Sequence, residues 1–166
     1  MTSFPWSAVG PIGGTVISAL KALKGRNLPT PPPVYLYPEI SWLEAKQLEK
    51  LKDSAFISKK TYAYSGLEAT GHGFWLSMKG DAMSAPIGLV PTLPEGTKVL
   101  FDTGARIKPG KLVLTLLPDN DTLTCRLLVE EAGDRFLKPL NPAYPLTPFT
   151  SKTLLVASAL ESRFIL

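Results

Sequence analysis

At 166 residues and 45% hydrophobic content, the chain suits a single globular core plus an appendage. Its net charge of +4 favours solubility and weak steering towards acidic partners, without specifying nucleic acid. Cys125 is the only cysteine, which excludes an intramolecular disulfide and makes a reducing cytoplasm the simplest location.

The first apolar run spans Pro11 to Leu23. No Lys or Arg precedes it, Lys21 interrupts it, and it is too short to cross a bilayer, so neither a targeting signal nor a membrane anchor is expected. Thr15 is a suitable N-cap for a helix over Val16 to Lys24, and Gly25 is a natural stop. Val16, Leu20 and Leu23 would share one face of that helix. Pro29-Thr30-Pro31-Pro32-Pro33 is pre-set for polyproline II and reads as a semi-rigid spacer. The expected division is therefore an N-terminal helix and linker over 1–33, then a main domain over 34–166.

Val34 to Tyr37 suggests a short strand. Ser41 and Glu44 have capping-box spacing and open a predicted helix with Leu48 and Leu51 on one side. Lys46, Glu49, Lys50, Lys52 and Asp53 fall on its solvated face. Lys59-Lys60 is too short a basic run for nucleic-acid binding, and no helix-turn-helix, zinc-spacing or RNA-binding aromatic motif occurs. His72 has no partner His, Cys or acidic cluster and reads as a loop residue. No metal, cofactor, small-molecule substrate or direct DNA contact is expected.

Strands follow from Phe74 onward. Phe74, Leu76 and Met78 alternate with Trp75, Ser77 and Lys79, the period of a half-buried strand. Gly80-Asp81 breaks it, with Asp81 expected to shape the turn by an Asx-type hydrogen bond. Pro94-Glu95-Gly96 leads into Lys98 to Asp102, where Asp102 reads as a turn starter. Pro109-Gly110 leads into Leu112 to Leu117. Pro118 to Asp121 joins that strand to Thr122 to Val129, and Ala132-Gly133-Asp134 turns into Arg135 to Leu140. Thr153 to Leu160 is the last apolar run. The fold class that follows is mainly β: a compact, strongly bent sheet with hairpin connections, carrying a short N-terminal helical segment.

Three stretches carry a family resemblance: Gly80-Asp81-Ala82-Met83-Ser84-Ala85-Pro86, Thr124-Cys125-Arg126-Leu127-Leu128, and Phe136 to Pro145. Together they resemble the LexA-like self-cleaving serine–lysine peptidases, which include UmuD and the C-terminal domains of lambdoid phage repressors. Ile40-Ser41-Trp42 resembles the start of the repressor branch's cleavage segment. The resemblance implies a scaffold at Gly80, Asp81, Met83 and Pro86. It places Ala82 at the position of the serine nucleophile, Arg126 at that of the lysine base, and Ala45-Lys46 at the scissile dipeptide.

That chemistry needs a hydroxyl to attack, a neutral buried lysine to accept its proton, and a small-residue dipeptide across the site. Ala82 has no hydroxyl, and a guanidinium stays protonated. Ser84 and Cys125 read as a turn hydroxyl and an inert core thiol. The reading is a catalytically inactive, repressor-type domain in transcriptional, SOS or prophage regulation, working through a homodimer or a heteromer with a LexA-like or phage repressor. The 37 residues before Pro38 are expected to form one short helix and a spacer, which would be too little for a helix-turn-helix unit within this sequence. The alternatives are a UmuD-like accessory subunit of a translesion polymerase, and a self-cleaving peptidase trapped by a Ser-to-Ala change at position 82.

Overall fold

The computed structural model describes residues 32–117 and 121–164. The expected helix at Val16 to Lys24, most of the Pro29 to Pro33 spacer and most of the Pro118 to Asp121 turn lie outside those residues. Nine strands form one sheet: β1 (Tyr35–Ile40), β2 (Tyr62–Ser65), β3 (Gly73–Ser77), β4 (Lys98–Asp102), β5 (Leu112–Leu117), β6 (Thr122–Glu131), β7 (Asp134–Lys138), β8 (Thr147–Pro148) and β9 (Leu154–Arg163). Their spatial order is β2-β1-β3-β4-β9-β5-β6-β7-β8. Among the described residues only β1 and β3 pair in parallel; every other pairing is antiparallel. The mainly β, single-sheet architecture is as the turn punctuation predicts. Hairpins join β5 to β6 and β6 to β7, whereas β1 pairs in parallel with β3 and β9 lies between β4 and β5, pairings that local turn signals do not give.

Two irregularities bend the sheet, and both lie against β9. The register shifts between Leu100 and Phe101 opposite β9, and again between Leu114 and Thr115. Such bulges raise local twist and turn a strand's direction. The β6–β7 hairpin closes on Ala132 and Gly133, both at positive φ, the geometry that matches the twist of two-residue hairpins.

One face packs Phe74, Leu76, Met78, Val99, Phe101, Leu114 and Cys125 into the main core. Val113, Leu128 and Leu137 form a smaller cluster. β3 departs from simple alternation, because Trp75 is buried along with Phe74 and Leu76. Trp75 Nε1 donates to the Ala63 carbonyl at 3.2 Å. The Arg163 guanidinium lies 4.8 Å from the Trp75 ring and 4.6 Å from that of Tyr64. β2 and Arg163 thus cover a face that the pattern leaves half-open.

The predicted helix after Ser41 is corrected to three short turns: α1 (Trp42–Ala45), a 3-10 turn (Leu48–Lys52) and α2 (Ser54–Ile57). The capping box forms as expected, Ser41 N–H donating to Glu44 Oε2 at 2.8 Å and Glu44 N–H to Ser41 Oγ at 3.4 Å. The helix then stops, with Gln47 at φ −117°, ψ 56°. Both Ala45 and Leu51 are buried. In one continuous helix, at ~100° per residue, they would point ~120° apart. Breaking the helix lets both reach the same core.

Candidate functional site

β3 ends at Ser77, and Met78 stays tied to the neighbouring chain: its N–H donates to Thr97 O at 2.8 Å, and its carbonyl accepts from Gly96 N–H at 2.9 Å. Gly80 then takes φ +69°, a conformation that costs a glycine little and other residues more. Ser84 N–H bonds Asp81 O at 2.9 Å and closes a turn around Ala82 and Met83. Met83 is buried, and its carbonyl accepts from Leu93 N–H at 2.8 Å. Pro86 is exposed and opens a loop that leaves Ile87, Leu89 and Val90 facing outward.

Asp81 does not make the expected bond within its own turn. Its carboxylate accepts from Asn141 Nδ2 at 3.1 Å and from the Tyr144 hydroxyl. Asn141 also donates from its backbone N–H to Ala82 O at 3.0 Å and from Nδ2 to Asp81 O at 3.2 Å. The hydrogen bond to Asp81, together with that carboxylate's charge, raises the Tyr144 hydroxyl above its ordinary pKa. The Asn-Pro and Tyr-Pro corners are therefore a clamp on the turn. Their residue types mark loop corners, but no local signal joins them to a turn sixty residues away.

Ala82 and Arg126 line one cavity of about 300 Å³, with Trp42, Lys79 and Met83 on its walls. Arg126 stands opposite Val113 in the β5–β6 ladder. Its Nη1 donates to Cys125 O at 2.7 Å, whereas its Nε is buried with no partner. Burial pulls its pKa below the usual guanidinium value. The adjacent Cys125 lies in the main core, and burial pushes its thiol up to about 12. A thiol so protonated is not a nucleophile at neutral pH. Ser84 closes the turn through its backbone N–H, bonded to Asp81 O.

Ala45 and Lys46 are not among the residues lining this cavity; Ala45 ends α1 and Lys46 is its C-cap. Ala45 N–H donates to Ser41 O at 2.9 Å, and the Ala45 side chain is packed in the cluster that holds Met78, Met83 and Cys125. Lys46 Nζ bonds Asp121 O and pairs with the Asp121 carboxylate at 3.1 Å. Trp42, which lines the cavity, donates from Nε1 to Ser77 O at 2.8 Å. Glu44 pairs with Lys60, and that bond, with help from Ser41 N–H, holds its carboxyl down to about 2. Lys60 in turn lies 4.4 Å from the centre of the Phe56 ring. Asp121, which anchors Lys46, had no signal in the sequence beyond turn composition.

The cavity thus brings together residue 82 on the turn, residue 126 on β6 and Trp42 at the start of α1. The Peptidase S24-like family matches residues 38–157 of the chain. The chain belongs to that family. Within it, the chain is 33% identical over 128 residues to Repressor protein C2 of Salmonella phage P22, covering 76% of this chain and 58% of that protein. It is 29% identical over 121 residues to the HTH-type transcriptional regulators for the conjugative elements SXT of Vibrio cholerae and pMERPH of Shewanella putrefaciens, covering 72% of this chain and 55% of each. The chain thus spans a little over half the length of these curated relatives. The S24-like assignment agrees with the LexA and phage-repressor resemblance carried by the three motif stretches.

Among the described residues, no group of three His, Cys, Asp or Glu is placed to hold a metal ion. His72 is exposed, and its contacts to Thr103 run through its backbone. No described helix is long and apolar enough to cross a membrane.

Proposed function

We propose that this chain is a repressor-type S24-like domain that does not cleave itself and that regulates transcription by pairing with proteins, either a second copy or a full-length repressor of its family. The observation that carries the reading is the pairing of Ala82 with Arg126 on one cavity. Acyl transfer at that place requires a hydroxyl and a neutral amine. A methyl group and a guanidinium supply neither. The helical winding of Ala45 and Lys46 supports the same reading, because a peptide bond under attack must lie open to the attacking atom.

The surface supports pairing. β2 is one edge of the sheet and pairs with β1, and Leu36 on β1, Tyr62 and Tyr64 on β2, and Val34 just before β1 are exposed there. An apolar, unpaired edge is suited to contact with another chain. The relatives named above favour the repressor branch over a polymerase-accessory role. Light scattering of the chain alone, and co-purification with a related full-length repressor, test the proposal. Association at micromolar concentration is expected in one or both; a monomer that captures no family member would contradict it.

The trapped-peptidase reading has one observation in its favour, the intact clamp on the turn that carries Ala82. It requires that Ala82→Ser alone produce cleavage near Ala45, faster at alkaline pH. Our reading expects no cleavage in that variant, because Arg126 cannot take the proton.

A further inference from the structure

Among the described residues, no acidic side chain pairs with the positive charge of Arg126, and none pairs with Lys79 on the same cavity. One of its N–H groups is spent on the Cys125 carbonyl, and Nε is closed off from solvent without an acceptor. Drawing a cation partly out of water without a counter-charge is costly. A buried donor left unpaired in a native structure commonly marks a water or ion that completes the site.

The remaining walls select among anions. Trp42, Met78, Met83 and Leu123 make much of the cavity apolar, and Ala82 adds a methyl group where a polar side chain would take up space. A volume of about 300 Å³ is at the small end for ligand sites. A fully hydrated inorganic anion gains nothing from apolar walls, whereas a carboxylate attached to a small apolar group uses both features. The planar guanidinium also matches a carboxylate in shape.

We propose that the Ala82–Arg126 cavity is a carboxylate-binding site that takes the free C-terminus of a peptide ending in a small apolar residue. Arg126 supplies the principal charge-assisted hydrogen bonds, Lys79 adds a second cation at the rim, and the Met and Trp side chains cover the terminal side chain. The site is independent of whether the chain pairs with a repressor.

The test uses the full chain, isotopically labelled, followed by NMR of backbone amides and of arginine Nε–H groups. Acetyl-Ala-Ala with a free carboxylate, the same peptide as its amide, and inorganic sulfate are titrated separately. The free acid is expected to saturate at millimolar concentration and to shift the signals of Ala82, Thr124 and Arg126. The amide and sulfate should each bind at least about tenfold more weakly, a difference of about 1.4 kcal/mol. Arg126→Gln should abolish the response, and Arg126→Lys should keep part of it. Equal binding of acid and amide, equal binding of sulfate, or shifts that never saturate would each overturn the proposal. The acid-against-amide comparison needs no variant, so a folding defect in Arg126→Gln leaves it intact.

Discussion

Asp102 and Arg126 are both charged residues on strands of the same sheet, and the fold treats them oppositely. Asp102 is 1% exposed. Its carboxylate accepts from Thr70 N–H at 2.8 Å, Thr70 Oγ1 at 2.9 Å, Gly71 N–H at 2.8 Å and Gly104 N–H at 2.8 Å. Burial by itself would raise its pKa, but the bonds from Gly104, Thr70 and Gly71 together outweigh burial and hold the group below its ordinary value. Gly71 and Gly104 permit this closure: a Cβ on either would lie 2.5 Å from the other's backbone nitrogen. Arg126 has one acceptor, a bare Nε and an open cavity in front of it. A charge whose bonds are all met is part of the framework. A charge with donors to spare beside a cavity is available to a partner.

The comparison can be broken at its strongest point first. Asp102→Ala strands four donors in a closed loop junction and is expected to cost at least about 3 kcal/mol in denaturant unfolding. A loss below about 1 kcal/mol would show that the junction is held by something else. Gly71→Ala pushes a methyl group against backbone that cannot rotate away, with an expected cost of about 1–3 kcal/mol. Arg126→Met removes the unbalanced cation and leaves an apolar side chain of similar length. It is expected to be neutral or mildly stabilising, and a loss comparable to that of Asp102→Ala would place Arg126 in the framework after all.

The smallest expected effect is a pH dependence around Glu44. Its folded value of about 2 lies below the ordinary 4.5, so its contribution is present above pH 4.5 and is lost as the pH falls through 2. Amide protection factors of residues 41–46, measured relative to the intrinsic exchange rate at each pH, should therefore fall on acidification across that window, and Glu44→Gln should remove that dependence. Unchanged protection would mean that Lys60 does not hold this segment.

β4 and β5 are legible residue for residue, because Pro94-Glu95-Gly96 and Pro109-Gly110 punctuate continuous apolar runs. β2 and β8 are not, being edge segments of four and two residues whose extended form depends on their pairing partners. The capping box at Ser41 was readable, since it is a local bond between residues three apart. The helix's early end was not, because it is imposed by the core that Ala45 and Leu51 must both reach. At the site, Gly80 and the Asp81 turn follow from sequence, and the family resemblance alone points from Ala82 to Arg126. The hold of Asn141 and Tyr144 on Asp81, and of Asp121 on Lys46, joins residues 60 or more positions apart. No periodicity or turn chemistry encodes such a contact.

Intact-mass spectrometry of the unmodified chain after prolonged incubation at alkaline pH tests the central claim most directly. With a methyl group at residue 82 and a guanidinium at residue 126, a single undivided mass is expected throughout. A fragment pair produced by cleavage between Ala45 and Lys46, accumulating at a rate independent of protein concentration, would contradict the account.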